Sequence, residues 1–456
     1  MELSYPRWRW LILCLLGCLA VAEFAARGPM RALGSGRDFN DFLSPYVQTH
    51  AWFSGRDPYA ASTLRDLWPD IPRPDFVLKE SANGALAAQR GIPSPYLTTA
   101  FPLLLPVAEL PWGIAIWVWV FLCVLAVFVV ATILSYMAGF RRYSQPALLI
   151  FLSALLFAPV HTAIAAANIF TISFAVGMLA TFCLIRNHPT LAGILLTLAV
   201  ALKPTVALPF VIYALASRNR AKVILPAVAM GGLLLSIAMI PSHGTTLWLK
   251  SFVANDDTMF AAGAIDDFST ANPLHFQLIN LQTALFPLLQ NRTLTQFGAI
   301  LVFVVLLVLW FRAMRRNWQL DLLDLAILAS VALLPVYHRF TDAGLLLVPV
   351  AWALSELQGN LRRFAAACLL LASPFLVPGA TMLQEFSERS ALVHNLSRSR
   401  SWDRFILPHQ SWLILMICLV LLAAHHRTQS KLIYSGRESR RVPGSTTSAG
   451  VGSGGM

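Results

Sequence analysis

Long apolar runs alternate with short polar segments along almost the whole chain. A transmembrane helix needs about 20 mainly apolar residues to cross the hydrocarbon core of a bilayer, so every run near that length is a candidate span. These runs lie near residues 10–27, 112–138, 146–162, 164–185, 191–217, 222–241, 295–314, 320–337, 343–357, 362–379 and 409–427. The pattern predicts an all-α, polytopic bundle of transmembrane helices with about 11–12 spans.

The run over residues 191–217 is longer than one ordinary span and contains two prolines. Pro204 directly follows Lys203, and Pro209 comes five residues later. Proline removes a backbone N–H group and disturbs a helix interior. The sequence therefore predicts a break in this run, with two short half-spans or a re-entrant pair as the alternatives.

The amino-acid composition removes the main competing classes of protein. The 456 residues are 57% hydrophobic and only 12% charged, whereas a soluble globular chain carries about 25% charged residues. A disordered chain would need low hydrophobicity instead. A polytopic membrane protein is the class that remains.

The basic residues indicate how the bundle is oriented. With a cytoplasmic N-terminus, the segments on that side hold 18 of the 34 lysines and arginines, as the positive-inside rule requires. These residues are Arg7, Arg9, Arg141, Arg142, Arg186, Arg218, Arg220, Lys222, Arg312, Arg315, Arg316, Arg362, Arg363, Arg427, Lys431, Arg437, Arg440 and Arg441. The net charge of +12 is therefore a signal of topology, and no nucleic-acid partner is expected. We predict an integral protein of the plasma (inner) membrane with both termini in the cytoplasm.

The chain is predicted to form one membrane domain over residues 1–427, with long outer loops at 28–111, 242–294 and 380–408. Residues 1–27 are either a retained first span or a cleaved signal peptide. Retention is favoured because no clear A-x-A cleavage site closes the apolar stretch. Residues 428–456 are predicted to be a cytoplasmic tail that is first basic and then, from Val442, disordered and rich in glycine and serine.

Two acidic residues, Asp38 and Asp41, follow the first span within about fifteen residues. A carboxylate just past a helix end lies at the membrane–water interface, where it can act as a general base on a hydroxyl group. The structural alternative is a solvated loop acid or a helix cap. Asp57 is mainly a turn residue, because Asp-Pro sequences start turns.

Two polar residues interrupt the apolar middle of the chain. A charge at membrane depth is costly, so Lys203 must face a partner or a water-filled cavity. Its cation suits an anionic group such as a lipid phosphate, and the alternative is a side chain that snorkels from the end of a half-helix. Asn168 lies in a short outer turn and either caps the next helix or lines a cavity.

His338, Arg339 and Asp342 lie in a short turn between two apolar runs, at the predicted outer face. Histidine and arginine can bind an anion, and arginine offers a bidentate fork to phosphate. Asp342 could orient His338. The structural alternative is a local His–Arg–Asp network at the membrane boundary.

Other polar features point less clearly to chemistry. Paired acids at residues 256–257 and 266–267 match no calcium-loop spacing, and we expect them to be solvated loop residues. The chain has no phosphate-binding GxxxxGK motif followed by Ser or Thr, no GxSxG elbow and no HExxH motif. Neither a metal nor another cofactor is expected.

Several of these stretches, taken in order, resemble glycosyltransferase family 87. The matching stretches are Asp41-Phe42, Tyr46 and Gly55-Arg56-Asp57-Pro58-Tyr59, then Tyr96 with Pro102, Pro106 and Pro111, then Asn168, then Ala201-Leu202-Lys203-Pro204, and finally Pro335 with His338. The family consists of polytopic GT-C enzymes, among them polyprenyl-phosphate-mannose-dependent α-mannosyltransferases.

The resemblance implies a GT-C-like bundle whose catalytic base lies in the first outer loop. Asp41 matches that base best by its distance to Gly55, and Asp38 is the competitor. His338 matches a histidine near the donor. Substrate-binding residues are expected among His338, Arg339, Asp342, Lys203, Asn168, Tyr96 and Tyr59.

We therefore predict an inverting hexosyltransferase that uses a polyprenyl-phosphate sugar donor and a lipid or glycan acceptor at the outer face, in contact with membrane lipid. Mannose is one candidate for the sugar. A secondary transporter is the main alternative, since a broken span with a buried lysine suits one. A non-catalytic protein of envelope assembly is the third. The enzyme hypothesis requires Asp41 and His338 to meet at the outer end of one apolar cavity between the spans.

Overall fold

The computed structural model describes residues 7–34, 41–67, 96–241, 247–315 and 320–438, and most of these residues are helical. The α-helices are α1 (Arg7–Arg27), α2 (Pro29–Leu33), α3 (Leu43–Phe53), α4 (Ala61–Asp66), α5 (Phe101–Ala108), α6 (Trp112–Met137), α7 (Gln145–Leu156), α8 (Ala158–Ala165), α9 (Phe170–Ile185), α10 (Pro189–Leu202), α11 (Pro204–Ala216), α12 (Arg220–Met239), α13 (Leu247–Met259), α14 (Leu281–Leu289), α15 (Arg292–Met314), α16 (Leu322–Ala332), α17 (Leu347–Glu356), α18 (Arg362–Ala372), α19 (Gly379–Arg389), α20 (Ala391–Ser397) and α21 (His409–Glu438). These ranges contain no strand, and an isolated bridge pairs Leu278 with Arg339. The predicted all-α class is confirmed.

Five helices are long and apolar enough to cross a membrane. They cover Leu11–Leu33, Trp112–Met137, Arg220–Met239, Arg292–Met314 and His409–Thr428. Two bent pairs raise the number to seven, with bends of 50° between α7 and α8 and of 51° before α19. Within the described ranges this is fewer than the 11–12 spans predicted, because the other apolar runs form helices of 10–17 residues.

Prolines explain where two of the apolar runs are interrupted. Lys203 has an extended backbone (φ −156°, ψ 94°) between α10 and α11. The residue before a proline is disfavoured in the α conformation, and proline itself suits the first turn of the next helix. The predicted break at Lys203-Pro204 is confirmed, and its re-entrant geometry stays a prediction. Pro159 lies in the first turn of α8 and accompanies the bend that follows α7.

Helix α9 lies in the middle of the packing, against α6, α10 and α11. Helix α10 also packs on α12, and α11 packs on α16, which contacts α17 and α21. A Cβ atom at Gly193 would lie 2.3 Å from the Val223 carbonyl oxygen, so the glycine permits the close approach of α10 and α12. One large apolar core therefore runs through most of the bundle.

The described parts of the predicted outer loops contain ordered helices. Helices α3 to α5 belong to the first loop, α13 and α14 to the second, and most of α19 and all of α20 to the third. Asp38 and the tail from Val442 lie outside the described residues, and α21 continues to Glu438, beyond the predicted end of the last span.

Two hydrogen bonds, one near each end of α6, serve to identify the two ends of the bundle. Near the start of α6, Trp119 Nε1 donates to the Ala167 carbonyl at 2.9 Å. Near its end, Arg186 Nη1 donates to the Tyr136 hydroxyl at 3.1 Å. These two points are about 25 Å apart along a helix. We call the end with Ala167 the site end and the end with Arg186 the basic end.

Candidate active site

The turn between α8 and α9 organises the site end. Ala167 has φ +49°, a left-handed conformation that is uncommon for a residue with a Cβ atom. The hydrogen bond from Trp119 to its carbonyl and a bond of 2.8 Å from Asn168 N to Ala163 O hold the turn in this shape. The turn thereby presents the Asn168 side chain and the Ala166 carbonyl to neighbouring segments.

Asn168 uses its amide group in three hydrogen bonds. Its Oδ1 accepts from the Phe170 N–H at 2.9 Å, which satisfies a donor at the start of α9, although the N-cap position itself is held by Ile169 and not by Asn168 as the capping prediction required. The same oxygen accepts from Lys203 Nζ at 3.4 Å. Its Nδ2 donates to Asp41 Oδ2 at 2.6 Å. The Asn168 side chain therefore bonds to the start of α9 and also links the Asp41 carboxylate to the Lys203 ammonium group.

Asp41 is attached to this turn by its backbone and its side chain. Its N–H donates to the Ala166 carbonyl at 2.7 Å, in addition to the carboxylate's bond from Asn168. The next residue, Phe42, stacks on Trp119 with ring centroids 4.1 Å apart and an interplanar angle of 9°. Asp41 itself is half-buried, and these bonds hold its carboxylate in place.

Lys203 carries the network to the late turn. Its Nζ contacts Asp342 Oδ1 at 2.5 Å, and the two side chains are 14% and 0% exposed. The other Asp342 oxygen lies 3.0 Å from His338 Nδ1. His338 Nε2 lies 3.0 Å from the Ala332 carbonyl, and the histidine is fully buried. Both ring nitrogens are thus engaged inside the protein.

The charges around Asp342 keep its carboxyl group ionised. Burial alone would raise the pKa of Asp342, but Lys203 and His338 together lower it to about 2. The close packing of Gly344 supports this arrangement, since a Cβ atom there would lie 2.5 Å from the ring of Phe170. The turn after α16 and the start of α9 are therefore fitted to one another.

The structure brings together five of the residues predicted for the site. Asp41, Asn168, Lys203, Asp342 and His338 form one continuous hydrogen-bonded chain, supplied by four separate segments. Asp41 and His338 therefore lie at one end of the bundle, joined through three intervening side chains, and the cavity expected between them stays a prediction.

The family model that matches this chain is glycosyltransferase family 87, over residues 96–335. This match covers more than half of the 456 residues. The chain belongs to glycosyltransferase family 87. No curated protein and no solved structure matches it.

The protein is therefore a membrane glycosyltransferase, since it combines this family with several helices able to span a bilayer. The transporter and assembly alternatives have no comparable support. Asn168 and Lys203 lie within the matched residues, whereas Asp41, His338 and Asp342 lie outside them.

Arg339 of the glycosyltransferase lies beside this network. Its Nε donates to the Tyr337 hydroxyl at 2.5 Å and its Nη2 to Asp266 Oδ1 at 3.1 Å. Burial alone would lower the pKa of the guanidinium, but Tyr337, Asp266 and Asp41 raise it, so it stays charged.

The expectation that Asp266 and Asp267 are solvated is wrong. Their exposed fractions are 2% and 0%. Asp266 pairs with Arg339, and Asp267 lies 3.4 Å from Arg292 Nη1. A pattern of polar residues in a loop does not reveal such pairs, because both arginines come from distant parts of the sequence.

Tyr96 and Tyr59 take different positions. Burial raises the pKa of the Tyr96 phenol, and Asp41 and Asp342 raise it further while Arg339 opposes them. Tyr59 instead donates its hydroxyl to the Tyr96 carbonyl at 2.6 Å and packs on Phe101. Tyr59 holds Tyr96 in place, and its direct contact with substrate stays a prediction.

Asp57 has the structural role expected of it. Its Oδ1 accepts from the Tyr59 N–H at 2.9 Å, and its other oxygen accepts from the Ser251 hydroxyl. Gly55 precedes it with φ +71°. The segment therefore fixes the turn that leads to Tyr59 and fastens it to α13.

Proposed function

We propose that this glycosyltransferase moves a hexose, with mannose as one candidate, from a polyprenyl-phosphate sugar to a lipid or glycan acceptor at the outer face of the membrane. The observation that carries the proposal is the continuous chain from the half-buried Asp41 to the ion pair between the partly exposed Lys203 and the buried Asp342. It links a half-buried carboxylate through one amide to a cation, and a base and a cation are the two groups that the proposed transfer needs.

In the proposed step, Asp41 removes the proton from the acceptor hydroxyl. The hydroxyl oxygen forms a bond to the anomeric carbon while the bond from that carbon to the phosphate oxygen breaks. The electron pair of the broken bond leaves with the polyprenyl phosphate, and the proton stays on Asp41. A single displacement of this kind inverts the anomeric carbon. The amide of Asn168 would hold the carboxylate in the orientation for attack.

Lys203 and Arg339 are the proposed partners of the departing phosphate. Both are partly exposed, at 14% and 27% of the side chain. Fixed cations at the place where negative charge develops lower the barrier without having to reorganise. His338 is assigned a positioning role, because a direct contact with phosphate would break its bonds to Asp342 or to Ala332.

The placement at the outer face is supported by the distribution of basic residues. Arg186 marks the basic end, about 25 Å from the turn that bears Asn168. If basic segments stay in the cytoplasm, the site end lies on the opposite side of the membrane. A lipid-linked donor suits that side, since no cytosolic nucleotide reaches it.

Sugar transfer in membranes supplied with a labelled polyprenyl-phosphate hexose tests the proposal. Asp41→Asn is nearly isosteric and keeps an acceptor for Asn168, but it cannot take a proton. We expect the rate to fall by about 10²–10⁴-fold, the usual contribution of a general base, with the protein still folded. Asp257→Asn, which alters an exposed acid of the second outer loop, is the matched control and should keep the wild-type rate.

Full activity of Asp41→Asn would overturn the assignment of the base. Asp38→Asn, measured in parallel, then shows whether the competing acid carries that role. Analysis of the product's anomeric configuration checks inversion, and retention at that carbon would contradict a single displacement.

A further inference from the structure

The hydrogen bonds of the Arg339 guanidinium group come from one edge, the edge formed by Nε and Nη2. Nε donates to the Tyr337 hydroxyl, and Nη2 donates to Asp266. In the described part of the chain no hydrogen bond reaches Nη1. The edge formed by Nη1 and Nη2 therefore keeps donors for a second partner, and this is the edge that matches two oxygens of a phosphate.

Burying the Asp266 carboxylate costs free energy unless a charged partner such as Arg339 compensates for the lost hydration. It is 2% exposed, and its Oδ2 has no hydrogen-bond partner among the described residues. Burial raises the pKa of its carboxyl group, and Arg339 counteracts that effect. Isolated buried charges are strongly unfavourable, so the ion pair with Arg339 accounts for a carboxylate at this position.

The loop around Asp266 is built to hold it still. Asp267 accepts from the Gly263 N–H at 2.8 Å and from the hydroxyl and N–H of Ser269. Asn272 donates from Nδ2 to the carbonyls of Ile265 at 3.1 Å and Asp267 at 2.9 Å. These bonds surround Asp266 on both sides in sequence, so its backbone has little freedom.

The same loop is fastened to the turn that carries Arg339. The Ile279 N–H donates to the His338 carbonyl at 2.9 Å, and the Leu281 N–H donates to the Leu334 carbonyl at 2.9 Å. Phe260 packs edge-on against Tyr337 with ring centroids 6.0 Å apart. These contacts hold the segment after Asp266 and the turn that carries Arg339 next to each other.

We propose that Asp266 is a positioning residue for donor binding. Together with Tyr337 it holds the edge of the Arg339 guanidinium formed by Nε and Nη2, so that the edge formed by Nη1 and Nη2 binds the phosphate of the lipid-linked donor. This inference rests on the proposed function, because the phosphate is that of the proposed donor. A mobile arginine side chain loses conformational entropy when it binds a ligand. An arginine that is already fixed by Asp266 and Tyr337 loses less, so it binds the phosphate more tightly.

The first measurement is binding of farnesyl phosphate, a short prenyl phosphate without sugar, to the purified full-length protein. Asp266→Asn should weaken this binding by about tenfold, the equivalent of 1.4 kcal/mol. Arg339→Gln should weaken it at least as much. The double variant should bind like Arg339→Gln alone, since Asp266 acts only through Arg339.

The second measurement is steady-state sugar transfer, which separates positioning from mere structural support. Asp266→Asn should raise the KM for the donor more than it lowers kcat, and it should leave the KM for the acceptor unchanged. Asp257→Asn is the matched control for removing one acidic charge from the same loop. Tyr337→Phe removes the other contact of the held edge and should change the donor KM in the same direction, which keeps the test valid if Asp266→Asn folds poorly.

Thermal unfolding provides a third, independent readout. Arg339→Gln leaves Asp266 buried without a partner, so it should unfold at a lower temperature than the wild type. Adding Asp266→Asn should recover part of that loss while binding of farnesyl phosphate stays weak. If the ion pair served stability alone, the binding of farnesyl phosphate would recover together with the unfolding temperature in the double variant.

Wild-type binding by both Asp266→Asn and Tyr337→Phe, or additive losses in the double variant, would overturn this inference. These outcomes are distinct from failure of the proposed function. That function fails if the wild type transfers no hexose from a polyprenyl-phosphate donor or if both Asp41→Asn and Asp38→Asn stay active. Loss of transfer in Asp41→Asn with unchanged donor KM in the Asp266 and Tyr337 variants removes the positioning role alone.

Discussion

The two ends of the bundle each bury a carboxylate against a histidine, yet the two pairs differ in what they connect. At the site end, Asp342 lies 3.0 Å from His338. At the basic end, Asp324 lies 3.1 Å from His425. Both carboxylates are almost fully buried, at 0% and 1% exposure of the side chain. The local geometry of the pairs is therefore nearly the same.

The Asp324–His425 pair at the basic end is explained by the capping of α16 at its N-terminus and by helix packing. Asp324 Oδ1 also accepts from Trp310 Nε1 at 2.8 Å. Its N–H binds Asp321, and its Oδ2 accepts from the Asp321 N–H at 3.1 Å, which together form the capping box of α16. The contacts of Asp324 thus join α15, α16 and α21, and its two oxygens are both used within the fold.

The pair at the site end continues to the surface. Asp342 binds Lys203, and Lys203 leads through Asn168 to the half-buried Asp41. A buried His–Asp pair is therefore no sign of an active site by itself. The distinguishing feature is a chain of polar contacts that ends on the half-buried Asp41, the proposed base.

Removal of the lysine should affect the site end most. Lys203→Met leaves Asp342 without its ammonium partner, and breaking a buried pair in this way costs about 3–5 kcal/mol of folding stability. We also expect transfer to fall by about 10²–10³-fold, as when one group that stabilises the transition state is removed. Thermal unfolding and the transfer assay measure the two effects separately.

A second substitution in that background checks the cause. Lys203→Met with Asp342→Asn should recover stability but not activity, whereas Lys203→Arg keeps the charge and serves as the conservative control. A folded Lys203→Met variant with wild-type transfer would remove the distinction between the two ends.

Cutting the link between acid and cation should have an intermediate effect. Asn168→Ala removes hydrogen bonds to Asp41 and Lys203 and to the first turn of α9, and each lost bond costs about 1 kcal/mol. We expect transfer to fall roughly tenfold, which corresponds to about 1.4 kcal/mol. The effect should appear in kcat, since Asn168 orients the base in the proposed mechanism. A change in the donor KM alone would assign Asn168 to donor binding instead.

Disturbing the basic end should have the smallest effect on transfer. Asp324→Asn keeps an oxygen for Trp310 but removes the charge next to His425, and we expect a loss of about 1–2 kcal/mol in stability. The transfer rate per folded molecule should stay within about twofold of the wild type, because no polar chain connects Asp324 to Asp41 among the described residues. A loss of more than tenfold in well-folded protein would show that the two ends are coupled.

Several residues of the site could be proposed from the sequence because their positions conflict with their surroundings. Lys203 stands out as a charge inside an apolar run, and His338, Arg339 and Asp342 crowd one short turn. Asp41 required the resemblance to the family in addition, since an acid in a loop is ordinarily solvated. The sequence around Asp266 did not mark it as a candidate. Its ion pair with Arg339 became visible only in the folded structure.

The number of membrane spans shows another limit of a pattern. Apolar runs predict eleven or twelve, whereas helices of sufficient length and composition number five to seven in the ranges that the structure covers. Hydrophobicity reports whether a segment avoids water. Local interruptions at Lys203 and near Pro159 decide whether it stays one straight helix.

The sequence alone determined the all-α membrane class, the family and the break before Pro204, because each depends on local composition or on neighbouring residues. Tertiary packing decided which charges are paired. Asp41 and Asn168 are 127 positions apart along the chain, and Lys203 and Asp342 are 139 positions apart. Electrostatic contacts act over a few ångströms in space, whatever the separation in sequence, so only the folded bundle could join these side chains into one site.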